Sequence, residues 1–181
     1  LLCGGAGWLA AGTAAKEAAR TIPVLASLLD EGVAVAPAPA RVRGSHVTVA
    51  ITDVWFGRPD IRNTTLDKTE PAQTPVCCVR LAIANAGKAP APFASWRETQ
   101  KASGQEKILL REAAGPTNSL VSFGPGCEPA GIQPPAAIAP GETAQDMLLF
   151  LCKAKPESDL EVTLPCENLG GKGQLTFHIP R

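Results

Sequence analysis

Apolar and polar residues alternate along the C-terminal part of the chain, and this period of two constrains the fold more than any other feature. The alternation runs through residues 138–152 and again through residues 159–181, and Pro and Gly turns separate the apolar runs. A strand with this period buries one face and exposes the other to water. The sequence therefore predicts the closing strands of an antiparallel β-sandwich.

The same alternation begins after Arg43. Val47, Val49 and Ile51 fall on one face of a predicted strand, and the residues between them fall on the other face. Asp53 interrupts the parity before a further apolar run at residues 54–56. This break predicts a β-bulge or a bend at Asp53.

A second strand is predicted over residues 76–87. Arg80 marks its outer face, so Cys77 is predicted to point inward and Cys78 outward. Residues 61–75 are polar and rich in turn formers, which predicts a long surface loop. Later strands are predicted over residues 93–97, 107–112, 119–123, 143–152, 160–164 and 174–179, which gives about eight strands in all.

The residues before Arg43 differ in character from the predicted domain. Residues 1–15 carry no charge and resemble the outer end of a transmembrane helix, with Trp8 near an interface. A signal-peptide tail and a buried Ala/Gly helix are the alternatives. Alternating Ala and Pro then favour a stiff, extended spacer. The predicted organisation is an apolar, helical anchor over residues 1–32, a Pro/Ala-rich linker over residues 33–43 and a β-sandwich over residues 44–181.

The charge of the chain argues against nucleic acid as a partner. There are 17 basic and 17 acidic residues, the formal net charge is zero, and no basic cluster is denser than Arg41 and Arg43. A surface that follows a phosphate backbone needs a basic stripe. Protein partners and, through the N-terminal segment, a membrane are therefore the predicted contacts.

Cysteine content is the one oddity of the composition. The six cysteines are Cys3, Cys77, Cys78, Cys127, Cys152 and Cys166. Such a number suits an oxidising compartment, in which disulfides form and persist. Small buried apolar side chains are the alternative interpretation. The residues predicted to form a disulfide or to act as thiols are Cys78, Cys127, Cys152 and Cys166.

No pattern of catalytic or metal-binding residues stands out. Zinc sites need close ligand pairs and nucleophilic serine sites need a nucleophile elbow, and the chain has neither. His46 and His178 are predicted to point outward from their strands, so neither is expected in a pocket. The sequence thus predicts a protein that is not an enzyme and needs no cofactor. A thiol-redox or metal-linked protein that uses Cys and His residues is the alternative.

Three segments resemble a known family. They are RLAIANAG at residues 80–87, IAPGE at residues 138–142 and GQLTFHIPR at residues 173–181. They are similar to segments of the immunoglobulin-like domains of unknown function that bacterial membrane-anchored proteins carry outside the cell membrane. The residue pairs at which a strand closes, the chain turns and the sheet ends are Asn85 and Gly87, Pro140 and Gly141, and Ile179 and Pro180.

This resemblance covers residues 45–181 and implies an immunoglobulin-like antiparallel β-sandwich of about seven to nine strands. It also implies an interaction or accessory module outside the cytoplasm, either membrane-anchored or secreted, and it carries over no catalytic residues. The cysteine content departs from the family pattern, which leaves a disulfide or thiol role open. The leading hypothesis is a non-catalytic module that contacts protein partners through its loops or an exposed strand edge.

Overall fold

The computed structural model describes residues 37–98, 108–113, 115–121, 124–132, 134–152 and 158–180. The predicted anchor over residues 1–32 and the first residues of the predicted linker lie outside these ranges. No helix within the ranges is long and apolar enough to cross a membrane. The fold that the described residues form is mainly β.

Thirteen strands and one 3₁₀ helix are present in the described part of the chain. In chain order they are β1 Ala40–Arg41, β2 Val47–Gly57, β3 Asp60–Asn63, β4 Lys68–Pro71, β5 Val76–Asn85, β6 Ala91–Pro92, β7 Leu109–Glu112, β8 Thr117–Ser119, β9 Cys127–Pro129, β10 Ala137–Ile138, β11 Thr143–Phe150, β12 Leu160–Pro165, η1 Cys166–Leu169 and β13 Gln174–Ile179. A helical turn also begins at Trp96. The predicted number of seven to nine strands is too low, because the additional strands are short ones without a readable alternation.

Two four-stranded antiparallel sheets form the body of the domain. The first has the strand order β1–β2–β5–β11, and the second has the order β13–β12–β7–β8. A three-stranded sheet β4–β3–β9 and a two-stranded pair β10–β6 accompany them. Burial alternates along the first part of β2 and along β13, as the sequence predicts for strands with one face in a core.

A single cluster of buried apolar side chains joins the two four-stranded sheets. Val49, Leu81 and Leu148 reach it from the first sheet, and Val162 and Phe177 reach it from the second. None of these side chains is more than 2% exposed. Because burial of apolar area contributes about 25 cal/mol per Å² to folding, this shared cluster is the main source of stability.

The opposite face of the first sheet is buried as well. Its side chains form a second cluster, made of Val76, Cys78, Ile132, Met147 and Leu149, with Trp55, Ile61 and Val121 packed against it. Cys77 and Cys78 do lie on opposite faces, since they belong to different clusters. Cys78 is nevertheless fully buried. The prediction that it faces outward is wrong, because β3 and its neighbours cover this side of the sheet.

The β-bulge predicted at Asp53 is confirmed. The pairing of β2 with β5 shifts register between Ile51 and Asp53, so Thr52 is the extra residue. The Thr52 hydroxyl donates a hydrogen bond of 3.3 Å to the Arg80 carbonyl on the facing strand. A bulge of this kind bends its strand, which lets β2 continue as far as Gly57 along a twisted sheet.

Three segments differ from their predictions. Residues 61–75, predicted as a loop, contain most of the antiparallel hairpin β3–β4. Residues 93–97, predicted as a strand, include the start of the helical turn at Trp96. The predicted linker over residues 33–43 extends too far, because β1 pairs with β2 and Val42 is fully buried in the shared core. The domain therefore begins before residue 44.

The helical turn at Trp96 connects the two four-stranded sheets. Asp146 of β11 accepts hydrogen bonds from the Trp96 backbone N–H at 3.1 Å and from the Ser95 hydroxyl at 3.0 Å, and its carboxylate lies 3.3 Å from Arg97 Nε. On the other side, the Trp96 indole N–H donates to the Pro165 carbonyl of β12 at 2.9 Å. Burial raises the pKa of the Asp146 carboxyl, and the Arg97 guanidinium opposes that rise without cancelling it.

Candidate binding groove

A surface groove with a volume of about 450 Å³ lies beside the β3–β4 hairpin. Its lining includes the half-buried side chains of Ile61 and Val121 and the strongly exposed side chains of Leu66 and Leu151. We call this site the Leu66–Leu151 groove. Its mixture of apolar lining and a few polar side chains is typical of a binding site.

The hairpin turn positions Leu66 on one side of the groove. The Asn63 side-chain oxygen accepts hydrogen bonds from the Thr65 and Leu66 backbone N–H groups, both at 3.0 Å. Asn is favoured in such turns because its side chain can replace a backbone acceptor. Asp67, with φ of 48°, completes the turn, and its carboxylate lies 3.0 Å from the Arg62 guanidinium. Leu66 is thereby held outward and is 71% exposed.

The chain after β11 brings Leu151 to the same groove. The Leu151 N–H donates to the Ser119 carbonyl at 3.1 Å, and the Val121 N–H donates to the Leu149 carbonyl at 2.7 Å. These bonds extend the strand pairing beyond Phe150, so that Leu149 points into the second cluster while Leu151 stays 55% exposed. A hydrogen bond from its own backbone N–H group therefore holds each of the two exposed leucines in place.

The charges at the groove balance each other. Lys68 and Glu70 of β4 line it and form an ion pair with each other. Their side chains are 64% and 63% exposed, so the pair contributes at most about 1 kcal/mol to stability. A groove with one charge of each sign and an apolar lining does not select for a polyanion.

The four cysteines predicted as disulfide or thiol residues occupy separate places. Cys127 of β9 is half-buried and lines the Leu66–Leu151 groove, whereas Cys78, Cys152 and Cys166 are buried in the two clusters. No disulfide links two cysteines of the described residues. The sequence does not distinguish these environments, because burial of a cysteine depends on which elements cover its strand.

Burial also controls the chemistry of two of these thiols. Burial, and to a lesser extent the Asp53 carboxylate, raise the pKa of the Cys78 thiol to about 12. Burial raises the pKa of the Cys166 thiol as well, and the Glu167 carboxylate acts in the same direction. A thiol with a raised pKa remains protonated at neutral pH and is a poor nucleophile and metal ligand.

This contrast predicts selective alkylation of the native protein. In a Cys3→Ser background at pH 8, we expect iodoacetamide to modify Cys127 and to leave Cys78 unmodified, because a pKa of about 12 leaves about one Cys78 thiol in 10,000 ionised. Peptide mapping by mass spectrometry measures both sites, and labelling in urea is the control that exposes every thiol. Equal rates at Cys78 and Cys127 in the native state would show that Cys78 is accessible.

Both histidines point outward, as predicted. His46 nevertheless lines a second groove of about 560 Å³, so the expectation that it lies outside any pocket is wrong, and its Nδ1 lies 3.3 Å from the Arg41 guanidinium. His178 is 77% exposed, and its Nδ1 lies 3.5 Å from the Glu161 carboxylate. Among the described residues, no group of three or more His, Cys, Asp or Glu side chains could hold a metal ion.

Sequence reasoning missed the Leu66–Leu151 groove. Its hairpin falls in residues 61–75, whose polar composition predicts a loop, and β4 is exposed at every position. Leu66 is the one local signal, because it is a large apolar residue within the otherwise polar turn at residues 63–68. Leu66 and Leu151 are distant in sequence, and the tertiary fold alone brings them to the same groove.

No protein-family model and no curated protein sequence matches this chain. Among solved structures, it is similar to the yjhA protein from Bacillus subtilis, with 8% identity, a TM-score of 0.47 and coverage of 77% of this chain and 94% of that chain. It is also similar to the candidate lipoprotein ycdA from Bacillus subtilis, with 19% identity, a TM-score of 0.47 and coverage of 80% and 38%, respectively. A functionally unknown protein from Listeria monocytogenes gives 14% identity, a TM-score of 0.47 and coverage of 81% of each chain. We infer no site or function from similarity at this level.

Proposed function

We propose that this protein is a non-catalytic interaction module outside the cytoplasm, built as an immunoglobulin-like sandwich and tethered to a membrane through its N-terminal segment. Its docking site is the Leu66–Leu151 groove. The occupant is an extended segment of a partner protein with one apolar side chain that inserts between the two leucines. Polar groups of that segment lie along Lys68 and Glu70.

The observation that carries this proposal is the location of the exposed apolar side chains. Leu66 and Leu151 are the two large hydrophobic side chains that are exposed in the described part of the chain, and both line the same groove. Single exposed leucines are ordinary, but two that converge on one concavity mark an interaction surface. Covering them would remove apolar area from water, which favours binding.

The size and charge of the groove favour a polypeptide as the occupant. A volume of about 450 Å³ accommodates a few side chains of an extended segment. The paired Lys68 and Glu70 offer a donor and an acceptor at the rim, which suits the alternating N–H and C=O groups of a backbone. Apolar anchors surrounded by a polar rim are the usual anatomy of protein interfaces.

The tether is supported by the character of the N-terminal residues. Residues 1–15 are uncharged, and the Ala/Pro alternation before Arg41 is typical of a stiff spacer. The chain reaches the domain at β1, where Ala40 pairs with Val49. A spacer of this kind would hold the domain away from a membrane surface and leave its groove accessible.

Selection from a displayed library of random peptides tests the docking site. The full chain serves as the target, and the double variant Leu66→Asp, Leu151→Asp serves for counter-selection. We expect the selected peptides to share one apolar position and to bind the double variant at least about tenfold more weakly, because two charges would replace the apolar contacts. Isothermal titration calorimetry with one synthetic peptide measures the ratio.

The matched control is Thr143→Asp, which adds a charge at the exposed start of β11. This position lies roughly 25 Å from Leu151 along the strand direction. The control is expected to bind the peptide as the wild type does. Selected peptides that bind the double variant with unchanged affinity, or a library that yields no binder, would refute docking at this groove.

A further inference from the structure

The strand β13 forms an open edge of the second four-stranded sheet. It pairs with β12 along its whole length, and no described residue pairs with its other side. Leu175, Phe177 and Ile179 point into the core, whereas Thr176 and His178 are exposed. The outer edge of β13 therefore presents a row of backbone N–H and C=O groups that can pair with another strand.

Four other sheet edges carry features that normally hinder such pairing. Strand β4 is short and contains Lys68, Glu70 and Pro71. Strands β1 and β8 have two and three residues, respectively. The end of β11 is covered, because Leu120 bridges to Phe150. Lysine, proline, shortness and coverage are the usual protections of natural sheet edges.

Within the described part of the chain, strand β13 has none of these protections. Its six residues include no Lys, Arg, Asp, Glu or Pro. Its pairing with β12 continues without a register shift, so no bulge turns it away from solvent. No charged side chain points inward along it. Strand β13 thus combines six residues with no charged side chain, whereas the longer edge strand β11 carries Asp146.

We infer that β13 is a self-association edge, where it pairs antiparallel with β13 of a second copy of this chain across a two-fold axis at Thr176. This register places Thr176 opposite the same residue of the second copy. It also places Gln174 opposite His178 on the exposed face and Leu175 opposite Phe177 on the buried face. The two second sheets become one continuous eight-stranded sheet.

The side chains of β13 suit this register. Thr–Thr pairs and aromatic–aliphatic pairs are favourable when they lie directly opposite each other across two strands. The exposed pair Gln174 and His178 brings no like charges together, because glutamine is uncharged. The nearest carboxylate on this face is Glu161 of β12, which lies 3.5 Å from His178 of its own chain. Because this register pairs each residue of β13 with a compatible residue of the same strand, the edge is complementary to itself, which favours an identical copy as the occupant.

The variant Thr176→Lys tests the pairing. It sets two lysines opposite each other on the two-fold axis, at a position whose side chain is exposed in the single chain. We expect sedimentation equilibrium of the full wild-type chain to show a concentration-dependent dimer and the variant to dimerise roughly tenfold more weakly. Thr176→Val, which keeps the β-branched shape, is expected to dimerise as the wild type does.

Two controls distinguish pairing through β13 from a general effect of added charge and from association through the Leu66–Leu151 groove. Thr69→Lys adds the same charge to the exposed edge strand β4 and is expected to leave the dimer unchanged. Leu66→Asp, Leu151→Asp is also expected to leave it unchanged, so a failure here is distinct from a failure of the groove. A monomeric wild type, or a dimer that persists in Thr176→Lys, would overturn the pairing through β13.

Discussion

Replacement of Asp146 by Ala is expected to destabilise the domain by about 3–5 kcal/mol, because it removes the acceptor that the buried Trp96 and Met147 backbone N–H groups share. The Asp146 carboxylate is fully buried, accepts the Trp96 N–H at 3.1 Å and lies 3.3 Å from Arg97 Nε. Alanine would leave the buried Trp96 N–H without this acceptor, whereas the Arg97 side chain is 14% exposed and can turn to water. Urea unfolding followed by circular dichroism measures the loss, which is large beside the stability of a typical domain.

The variant Asp146→Asn separates the charge of this residue from its shape. Burial raises the pKa of the Asp146 carboxyl in the folded state, so the folded protein binds more protons than the unfolded chain between the ordinary Asp pKa, about 3.9, and the raised value. The stability of the wild type relative to Asp146→Asn is therefore expected to be greatest at low pH and to fall as the pH rises through this window. If the stability of the wild type relative to Asp146→Asn instead increased with pH, the folded protein would prefer the ionised form of Asp146.

Replacement of Trp96 by Ala is expected to cost about 3–5 kcal/mol, because it removes the largest fully buried side chain. The indole packs edge-to-face on Phe93, with ring centroids 5.7 Å apart, and its N–H donates to the Pro165 carbonyl at 2.9 Å. Trp96→Phe keeps most of the apolar volume and loses this hydrogen bond, so a smaller cost of about 1–3 kcal/mol is expected.

Leu66→Ala is the matched control for Trp96→Ala. It also truncates a large apolar side chain, but one that is 71% exposed, so its effect is expected to stay within about 0.5 kcal/mol. Urea unfolding of the three variants under one condition gives the comparison, and an unchanged m value confirms that the unfolding transition is comparable. A Trp96→Ala variant as stable as Leu66→Ala would show that the turn at Trp96 does not hold the core together.

Asp146 and Trp96 belong to one connection. Asp146 attaches the turn to the first sheet and Trp96 attaches it to the second, through the Pro165 carbonyl. Removing either residue releases the same turn, so the two costs should not add. The double variant Asp146→Ala, Trp96→Ala is expected to be more stable than the sum of the single effects indicates.

The sequence predicts those strands whose side chains face a core on one side. Val47, Val49 and Ile51 alternate with less buried residues in β2, and β13 alternates throughout. The parity break at Asp53 also predicts the bulge, since an extra residue shifts every later side chain to the other face. Local periodicity is sufficient for these elements because one face is buried and the other is not.

The remaining features depend on contacts that are distant in sequence. Cys78 lies on a strand buried on both faces, and a continuous apolar run carries no information about which face is covered. Trp96 begins a helical turn because Asp146, on another strand, accepts its N–H. The groove is lined by Leu66 of a hairpin turn and by Leu151, which follows β11. No local sequence pattern predicts that these two residues line the same groove.

The most direct test of docking at the Leu66–Leu151 groove is hydrogen exchange of the full chain with and without a selected peptide. Mass spectrometry of peptic fragments is expected to show slower exchange in β4 and in the turn that carries Leu66, with no change in β13. Protection confined to other segments, or exchange that the bound peptide leaves unchanged everywhere, would show that these leucines do not form the docking site.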